Sequence, residues 1–366
     1  MFTNVLKENS TTSQTRKMAG PLFQKNCLET IKRRKQRFQT SNLVLKCLEE
    51  NGFSQTFKDL LSSLPKAKGW LSPHLYKYQG FWLTALHLHG TLSFQHCFQA
   101  QDSDILLITS PKSGTIWLKA MVFTLINRMS HPILSQEHPL LTINPHDLVP
   151  FLELNYAQEK NPISPNSSLT SPGLYSTHLP YVSLPESVKN TKCKIIYMCR
   201  NPRDTFVSLW HYISKLRSQD SKMIPFEEAF DMFCNGLTMA GPFWDHVLSY
   251  WEKSLEMPQK VFFLKYEEVK EQPCLHLKCL AEFLERPFSL EEEESGLMNE
   301  IIKLCSFENL SNLEVNKSGK TVFGNDNRVF FRKGEVGDWK NHLTTEMVDR
   351  LNQITEDKFN GSGLTL

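Results

Sequence analysis

The chain has 366 residues, of which 40% are hydrophobic and 22% charged, an ordinary composition for a globular protein. A formal net charge of +2 does not indicate nucleic-acid binding, so any anion site must be local. The nine cysteines are scattered and form no Cys-x-x-Cys pair, which argues against a disulfide framework and a zinc site. No apolar run approaches the roughly 18 residues of a membrane span. We therefore expect a cytoplasmic protein without nucleic-acid or membrane partners.

The first 50 residues are the least core-like part of the chain. They are polar and carry a basic cluster at residues 32–37. An organelle-targeting or nuclear segment is one interpretation. Because an apolar signal-peptide core is absent, a disordered extension or an amphipathic lead-in helix is the preferred one. Residues 51–366 are expected to form one domain.

Regular structure is expected from Phe53 onward, beginning with a short helix that ends at Pro65. Two aromatic-rich segments follow, at residues 76–80 and 94–98. They could form a wall of a binding pocket, but ordinary core packing is the favoured interpretation.

The central segment of the chain covers residues 104–125. Residues 105–108 form a continuous apolar run, which is typical of a strand buried on both faces. A loop of Pro, Ser, Gly and Thr follows with Lys112 inside it, and apolar residues then recur at helical spacing. A strand, tight loop and helix in this order present backbone N–H groups at a helix N-terminus. The segment therefore predicts a site for a phosphate or a sulfate.

This loop differs from the general phosphate-binding pattern G-x-x-x-x-G-K-[ST]. Lys112 precedes Gly114, and no glycine opens the loop. A Pro/Gly turn between two core elements is the alternative interpretation of the loop alone.

Strands and helices alternate through the rest of the chain. Apolar runs at residues 194–199 and 261–264 predict two more buried strands. Helices are expected up to residue 216, at 226–237 and 242–255, after the third strand to about residue 284, and at 347–359. The acidic run 291–294 is expected to open another helix, because negative charge suits a helix N-terminus. The loop at residues 155–173 is unusually long, and a gate over a substrate pocket would explain it. The alternation predicts an α/β fold, a single domain with a central, mainly parallel sheet flanked by helices.

Two further groups of cations lie outside the central loop. Arg200 follows the second strand, where a kinase or GTPase would carry a carboxylate for Mg²⁺, and Ser208 lies on the next helix. Arg332, Lys333 and Gly334 form the other group. For Arg200, the alternative interpretation is a structural ion pair, for example with Asp204. For Arg332, Lys333 and Gly334, it is a solvated surface turn. No cluster of metal ligands is visible in the sequence, so anions must be met by cations and N–H dipoles.

The motifs together resemble the cytosolic sulfotransferases, with a P-loop-like fold. The resemblance lies in six segments in order, from about residue 53 to the C-terminus: residues 110–117 (Ser-Pro-Lys-Ser-Gly-Thr-Ile-Trp), 176–180 (Ser-Thr-His-Leu-Pro), 199–208, 263–268, 305–310 and 332–342. Residues 145–151 (Pro-His-Asp-Leu-Val-Pro-Phe) resemble the plant branch.

The resemblance implies the reaction and the site. The donor would be 3′-phosphoadenosine 5′-phosphosulfate (PAPS), used without a metal, and the acceptor a hydroxyl of a small hydrophobic metabolite of flavonoid, steroid or jasmonate type. His178 resembles the general base, and Lys112 would neutralise the departing oxygen. The nucleotide would be bound by Lys112, Ser113, Gly114, Thr115, Ile116, Trp117, Arg200, Ser208, Tyr266, Phe307, Arg332, Lys333 and Gly334.

The sequence also departs from the family pattern. Ile116 replaces a threonine and removes one hydroxyl donor, so a catalytically weak protein that binds PAPS or its product PAP is the alternative function. A P-loop kinase is a third hypothesis, which the absent Walker order disfavours. The segment that begins at Lys340 matches only part of the motif through which animal relatives form dimers. The sequence is therefore consistent with either a monomer or a weak homodimer. The acceptor is expected to contact loops at residues 81–98, 155–174 and 311–329.

Overall fold

The computed structural model describes Glu29 and residues 52–158, 172–216 and 224–366. The predicted N-terminal extension, apart from Glu29, lies outside the described residues, and so does most of the predicted loop at 155–173. The domain boundary near residue 50 stays a prediction.

The strands of the described residues form two separate sheets. They are β1 (Lys66–Lys68), β2 (His74–Tyr78), β3 (Phe81–Leu83), β4 (Ile105–Thr109), β5 (Leu174–Thr177), β6 (Lys194–Cys199) and β7 (Val261–Lys265). The central sheet has the order β5-β4-β6-β7, and all its pairs are parallel. The first three strands form a small antiparallel sheet.

Helices surround the central sheet and connect its strands. They are α1 (Gln55–Ser63), α2 (Ala85–Cys97), α3 (Thr115–Asn127), α4 (Pro145–Leu148), α5 (Leu152–Gln158), α6 (Glu186–Asn190), α7 (Pro202–Leu216), α8 (Phe226–Cys234), α9 (Phe243–Glu256), α10 (Tyr266–Glu271), α11 (Pro273–Phe283), α12 (Leu290–Glu294), α13 (Leu297–Leu304), α14 (Phe307–Asn312), α15 (Glu314–Ser318) and α16 (Thr345–Phe359). Within the described residues, no helix combines the length and the apolar character needed to cross a bilayer.

Alternate side chains of the central strands enter two different cores. In β4, Leu106 and Ile108 pack in the core on one face of the sheet, and Ile105 and Leu107 pack in the core on the other. Burying a side chain of this size contributes roughly 1.5–3 kcal/mol. Burial on both faces explains why the strand reads as an unbroken apolar run, and it confirms the predicted parallel sheet flanked by helices.

The predicted strands and the observed ones agree closely in the central sheet. The antiparallel sheet of β1–β3 was not predicted, because two of its strands have only three residues and leave little periodic signal. In the aromatic-rich segments, Tyr76 and Phe94 are buried in a hydrophobic core, which confirms the core-packing interpretation.

The parallel arrangement brings four chain segments to one edge of the sheet. The loop at residues 110–114, called the anion loop because the sequence predicts an anion site there, follows β4. His178 follows β5, Arg200 follows β6 and Tyr266 follows β7. Because parallel strands end at the same edge, these four positions converge there. In open α/β sheets the crevice at this edge is where ligands bind.

Candidate active site

The loop between β4 and α3 is shaped by two left-handed residues. Lys112 has φ of 69° and Gly114 has φ of 97°. A Cβ at Gly114 would lie 2.7 Å from the Tyr266 ring, so glycine also allows a close approach between the loop and β7's end. The main-chain N–H of Leu118 donates the first helical hydrogen bond of α3, to the carbonyl oxygen of Gly114. The N–H groups just before it are therefore free of helical partners and face the loop.

Paired hydroxyl groups fix the loop from within. Ser110 Oγ and Ser113 Oγ lie 2.7 Å apart, and so do Thr109 Oγ1 and Thr115 Oγ1. Ser113 is fully buried, and its side chain is turned toward Ser110.

A cavity of about 510 Å³ opens at this edge of the sheet. Of the residues predicted for the site, all except Ser113 line it: Lys112, Gly114, Thr115, Ile116, Trp117, His178, Arg200, Ser208, Tyr266, Phe307, Arg332, Lys333 and Gly334. Among the described residues, its lining includes five lysines and arginines and no aspartate or glutamate. An anion is therefore the ligand that this part of the cavity favours.

Lys112 is half-buried at the centre of the cationic region. Its Nζ lies 4.3 Å from the centroid of the Tyr212 ring. Burial, together with the nearby positive charges of Arg200 and Arg332, lowers the pKa of Lys112 to about 7. A bound anion would relieve both effects.

Arg200 is buried and held by groups behind the cavity. Its guanidinium lies over the Tyr266 ring at 4.6 Å, 3.5 Å from Asp204, and it donates to the Glu335 carbonyl. Its Nε is buried without a partner among the described residues. Arg200 therefore forms the ion pair with Asp204 that was the alternative interpretation, and it lines the cavity as well.

Asp204 also joins this strand end to the C-terminal basic turn. Its two carboxylate oxygens accept hydrogen bonds from the main-chain N–H groups of Gly337, at 2.8 Å, and Trp339, at 3.1 Å. Because Asp204 is fully buried, these bonds are shielded from water. Two basic segments more than 130 residues apart in the chain are thereby held on one wall.

The basic turn itself is arranged around a second buried carboxylate. Asp338 accepts from both Arg332 and Lys333. Although burial opposes its ionisation, hydrogen bonds from Lys333 and Arg332 hold the pKa of Asp338 well below its usual range. Gly334 has φ of 68°, and a Cβ there would lie 2.4 Å from the Phe307 ring. The turn therefore packs its backbone directly on that ring.

Aromatic rings line the next part of the cavity. The rings of Trp117 and Tyr266 meet edge to face, with centroids 5.3 Å apart. The Tyr266 hydroxyl donates to the Gly334 carbonyl at 3.2 Å. A flat ligand therefore finds an aromatic surface next to the cations.

His178 is oriented by a main-chain carbonyl. Its Nδ1–H donates to the Thr109 oxygen at 2.7 Å, which leaves the Nε2 with a lone pair. Burial lowers the pKa of His178 to about 3, and the charge of Lys119 adds to this, although the bond to Thr109 opposes it. The imidazole is therefore neutral at pH 7 with its Nε2 lone pair available, and a pKa this low makes it a weak base in the free protein.

Other groups fix the main chain at His178. Its N–H donates to the buried Glu153 at 2.8 Å, and its carbonyl accepts from His246 Nε2 at 3.0 Å. The Phe151 ring packs on the imidazole with centroids 4.7 Å apart. These three contacts together fix the position of the His178 imidazole.

Several lining residues were not predicted from the sequence. They are mostly apolar or aromatic and include Trp70, Leu75, His146, Phe151, Tyr212, Met239 and Phe330. His146 and Phe151 lie within residues 145–151, so their motif offered a signal. Of the predicted acceptor loops, the first contributes Thr84 and His87, the third contributes Thr321, Phe323 and Asn325, and most of the second lies outside the described residues.

Comparison with known proteins agrees with this geometry. A family model described as the sulfotransferase domain matches residues 102–363. The chain belongs to the sulfotransferase family. It is 49% identical to cytosolic sulfotransferase 15 of Arabidopsis thaliana over 325 residues, covering 88% of this chain and 90% of that protein. It is 51% identical to cytosolic sulfotransferase 12 of the same plant over 326 residues, covering 89% and 98%. The predicted family and its plant branch are confirmed, and this sulfotransferase is an enzyme of the transferase class.

Solved sulfotransferase structures share the fold. A protein of Arabidopsis thaliana, described as a proposed steroid sulphotransferase, is 46% identical and superimposes with a TM-score of 0.68, covering 87% of this chain and 98% of that one. A mouse sulfotransferase solved with PAP is 28% identical with a TM-score of 0.59, covering 79% and 95%. The predicted cytoplasmic location agrees with the names of the plant relatives.

Proposed function

We propose that this sulfotransferase uses PAPS as its donor and transfers the sulfuryl group to a hydroxyl of a small, mainly apolar acceptor. One observation carries the proposal: among the described residues, a single cavity combines a lining of lysine and arginine without carboxylates and an apolar region, with His178 also in the lining. The mouse relative solved with PAP supports the choice of nucleotide.

The cationic part of the cavity suits the nucleotide. Lys112 and the free N–H groups at the start of α3 would bind the 5′-phosphosulfate. Arg200, Ser208 and the Arg332–Gly334 turn would hold the 3′-phosphate. The aromatic surface of Trp117, Tyr266 and Phe307 suits the adenine. The close contact of Gly334 with Phe307 supports this assignment, because it fixes the phosphate-binding turn against the adenine surface.

In the reaction we propose, His178 acts as the general base. Its Nε2 takes the proton of the acceptor hydroxyl while the hydroxyl oxygen forms a bond to sulfur. The bond between sulfur and the phosphate oxygen breaks, PAP leaves, and Lys112 stabilises the charge on that oxygen. Alignment and charge stabilisation then supply catalysis, by analogy with phosphoryl transfer. Within the described residues, no group of side chains suited to a metal ion is found.

The acceptor would occupy the apolar part of the cavity. Trp70, Leu75, Met239 and Phe330 contribute to its lining. Such a lining favours a flat, apolar molecule of flavonoid, steroid or jasmonate type that carries a hydroxyl. A steroid description of one Arabidopsis relative is compatible with that range.

The decisive experiment is a transfer assay with purified protein. The protein is incubated with PAPS labelled in its sulfuryl group and a panel of phenols, flavonols, hydroxysteroids and hydroxyjasmonates, without added metal. A labelled sulfated product would support the function and name the acceptor class. PAP binding in calorimetry without product from any acceptor would favour the weak-binding alternative. Transfer from ATP that requires Mg²⁺ would contradict the proposal.

A further inference from the structure

A buried lysine–histidine pair lies beside the acceptor region. Lys119 of α3 is fully buried, and its Nζ lies 2.8 Å from the Val149 oxygen, 3.1 Å from His146 Nδ1 and 3.4 Å from the centroid of the Phe151 ring. A lysine ammonium has three N–H groups and no acceptor, and here it meets three acceptors. Burial lowers the pKa of Lys119, but the carboxylate of Glu153 opposes that shift.

This contact determines how His146 faces the cavity. Because an ammonium can only donate, we assign Lys119 as the donor to Nδ1, which places the proton of the neutral imidazole on Nε2. Burial and the charge of Lys119 lower the pKa of His146 well below its ordinary value, which keeps the ring neutral. The ring lines the cavity, and its Nε2 has no hydrogen-bond partner among the described residues. His146 therefore offers an unused N–H donor.

The His146 ring is also held rigidly. Its centroid lies 4.5 Å from that of Phe330 and 5.2 Å from that of Phe151. Its main-chain N–H donates to Asn144 Oδ1 at 2.8 Å, and Asn144 donates in turn to Asn316 at 2.8 Å. A donor fixed in this way costs little further ordering when a ligand binds.

His146 and His178 lie on the same Phe151 ring but have opposite tautomers. His178 donates through Nδ1 to Thr109 and presents a lone pair at Nε2. With Lys119 assigned as the donor, His146 accepts at Nδ1 and presents a proton at Nε2. One histidine can thus take the proton of a hydroxyl while the other donates to an oxygen elsewhere on the same molecule.

We propose that the acceptor carries a second oxygen, a carbonyl in the simplest case, and that His146 Nε2–H donates to it. His146 is then a specificity-determining residue that selects oxygenated apolar acceptors over hydrocarbon-like ones. The inference rests on the proposed function, because it assumes that the acceptor occupies this part of the cavity. A site built to bond an oxygen discriminates against an analogue that lacks it, since its own donor is left unpaired.

The test compares matched phenolic acceptors. Each pair has the same skeleton with a carbonyl or a methylene at the far position, and the pairs span one ring, two rings and a steroid nucleus. The first two pairs are 4-hydroxyacetophenone with 4-ethylphenol and 4-hydroxybenzophenone with 4-benzylphenol. The ratio of kcat/KM within each pair is measured for the wild type, His146→Phe and His146→Gln. Comparing ratios between variants cancels the intrinsic reactivity of each phenol.

We expect the wild type to prefer the carbonyl member of at least one pair and His146→Phe to reduce that preference by roughly fivefold to tenfold. His146→Gln should restore part of it, because a glutamine can accept from Lys119 and still donate an amide N–H. Ratios that are equal in all three proteins while transfer proceeds would overturn the inference alone. No transfer to any probe by the wild type would overturn the proposed function with it.

A measurement on the wild-type protein avoids the risk that a variant does not fold. Long-range ¹H–¹⁵N NMR spectra of labelled histidines distinguish a protonated ring nitrogen from one with a lone pair. We expect His146 to be protonated at Nε2 and His178 at Nδ1. Protonation of His146 at Nδ1 instead would overturn the inference whatever the transfer assays give.

Discussion

The Nδ1–H of His178 donates to the carbonyl oxygen of Thr109, the last residue of β4, across 2.7 Å. The hydroxyl of the same threonine lies 2.7 Å from that of Thr115, the first residue of α3. The proposed base is therefore tied to the strand that carries the anion loop. A shift of the loop would move the imidazole as well, so the proposed proton acceptor and the proposed donor site are positioned together.

Replacing the proposed base should stop turnover without loss of nucleotide binding. For His178→Ala we expect a decrease in kcat of roughly 10²–10⁴, because proton transfer from the acceptor is lost. PAP affinity in calorimetry and the thermal midpoint should stay close to wild type. His96→Ala, an exposed change, is the control and should keep full turnover. Near-normal kcat in a folded His178→Ala protein would contradict the base role.

Removing the loop lysine should be almost as damaging. Lys112→Ala is expected to lower kcat by roughly 10²–10³, the usual effect of deleting one electrostatic donor to a developing charge. Lys270→Ala removes an equal charge from an exposed position in the cavity lining and should change kcat less than tenfold. Equal effects of the two variants would show that Lys112 contributes only general positive potential.

Nucleotide binding should be coupled to proton uptake. The pKa of Lys112 is lowered to about 7, so at pH 8 much of the free protein carries a neutral amine there. A bound anion raises that pKa, and binding of PAP at pH 8 should take up a fraction of a proton; near pH 6 the lysine is already charged and contributes little. Calorimetry in buffers of different ionisation enthalpy measures the uptake. Lys112→Met should abolish this contribution, and an unchanged uptake would contradict it.

The same low pKa affects stability in the free protein. Between about pH 7 and the ordinary lysine pKa, the unfolded chain binds a proton at residue 112 that the folded chain does not. Because the unfolded chain binds more protons, the free energy of unfolding should increase as pH rises through this range, and the folded protein becomes more stable relative to the Lys112→Met variant. Denaturant titrations of the wild type and Lys112→Met at several pH values measure the difference between them. A difference that is constant with pH would contradict the prediction.

Ile116 is expected to weaken the donor site. Ile116→Thr adds a hydroxyl beside the start of α3 and should tighten PAP binding by roughly twofold to tenfold, the range expected for one hydrogen bond. Ile116→Val has nearly the shape of threonine without the hydroxyl and is the matched control. Equal affinities of the two variants would show that shape, and not the missing donor, matters at this position.

Two glycines of the C-terminal turn allow another matched comparison. Gly334 and Gly337 both have positive φ, so alanine at either should cost about 1–2 kcal/mol of stability. A Cβ at Gly334 would lie 2.4 Å from the Phe307 ring, whereas no atom of the described residues lies within 4 Å of a Cβ at Gly337. We expect Gly334→Ala to weaken PAP binding more than tenfold and Gly337→Ala to change it little. Similar binding losses would contradict a specific role for the contact with Phe307.

Local sequence was sufficient for much of the fold and of the donor region. The apolar run of β4 and the Pro-Lys-Ser-Gly-Thr loop are signals within a dozen residues, because burial on both faces and a left-handed turn each demand particular residue types. Arg200 and Gly334 were predicted from their motifs, and the structure places both in the cavity lining. The Ser113 side chain turns inward to Ser110, so the predicted contact of its main chain with the nucleotide stays a prediction.

The tertiary structure determined which residues line the proposed acceptor part of the cavity and which ring nitrogens of His146 and His178 carry a proton. Lys119 reads as an ordinary polar residue in a helix, yet folding buries it against His146, and no pattern in the sequence records that contact. Trp70 reaches the cavity from the connection between β1 and β2, two short strands that carry little periodicity. The sequence alone identified residues such as those of β4 and the loop after it, because their roles depend on nearby residues in the chain. The protonation and specificity of the histidines depend on packing between distant segments, and only the folded chain brings those segments together.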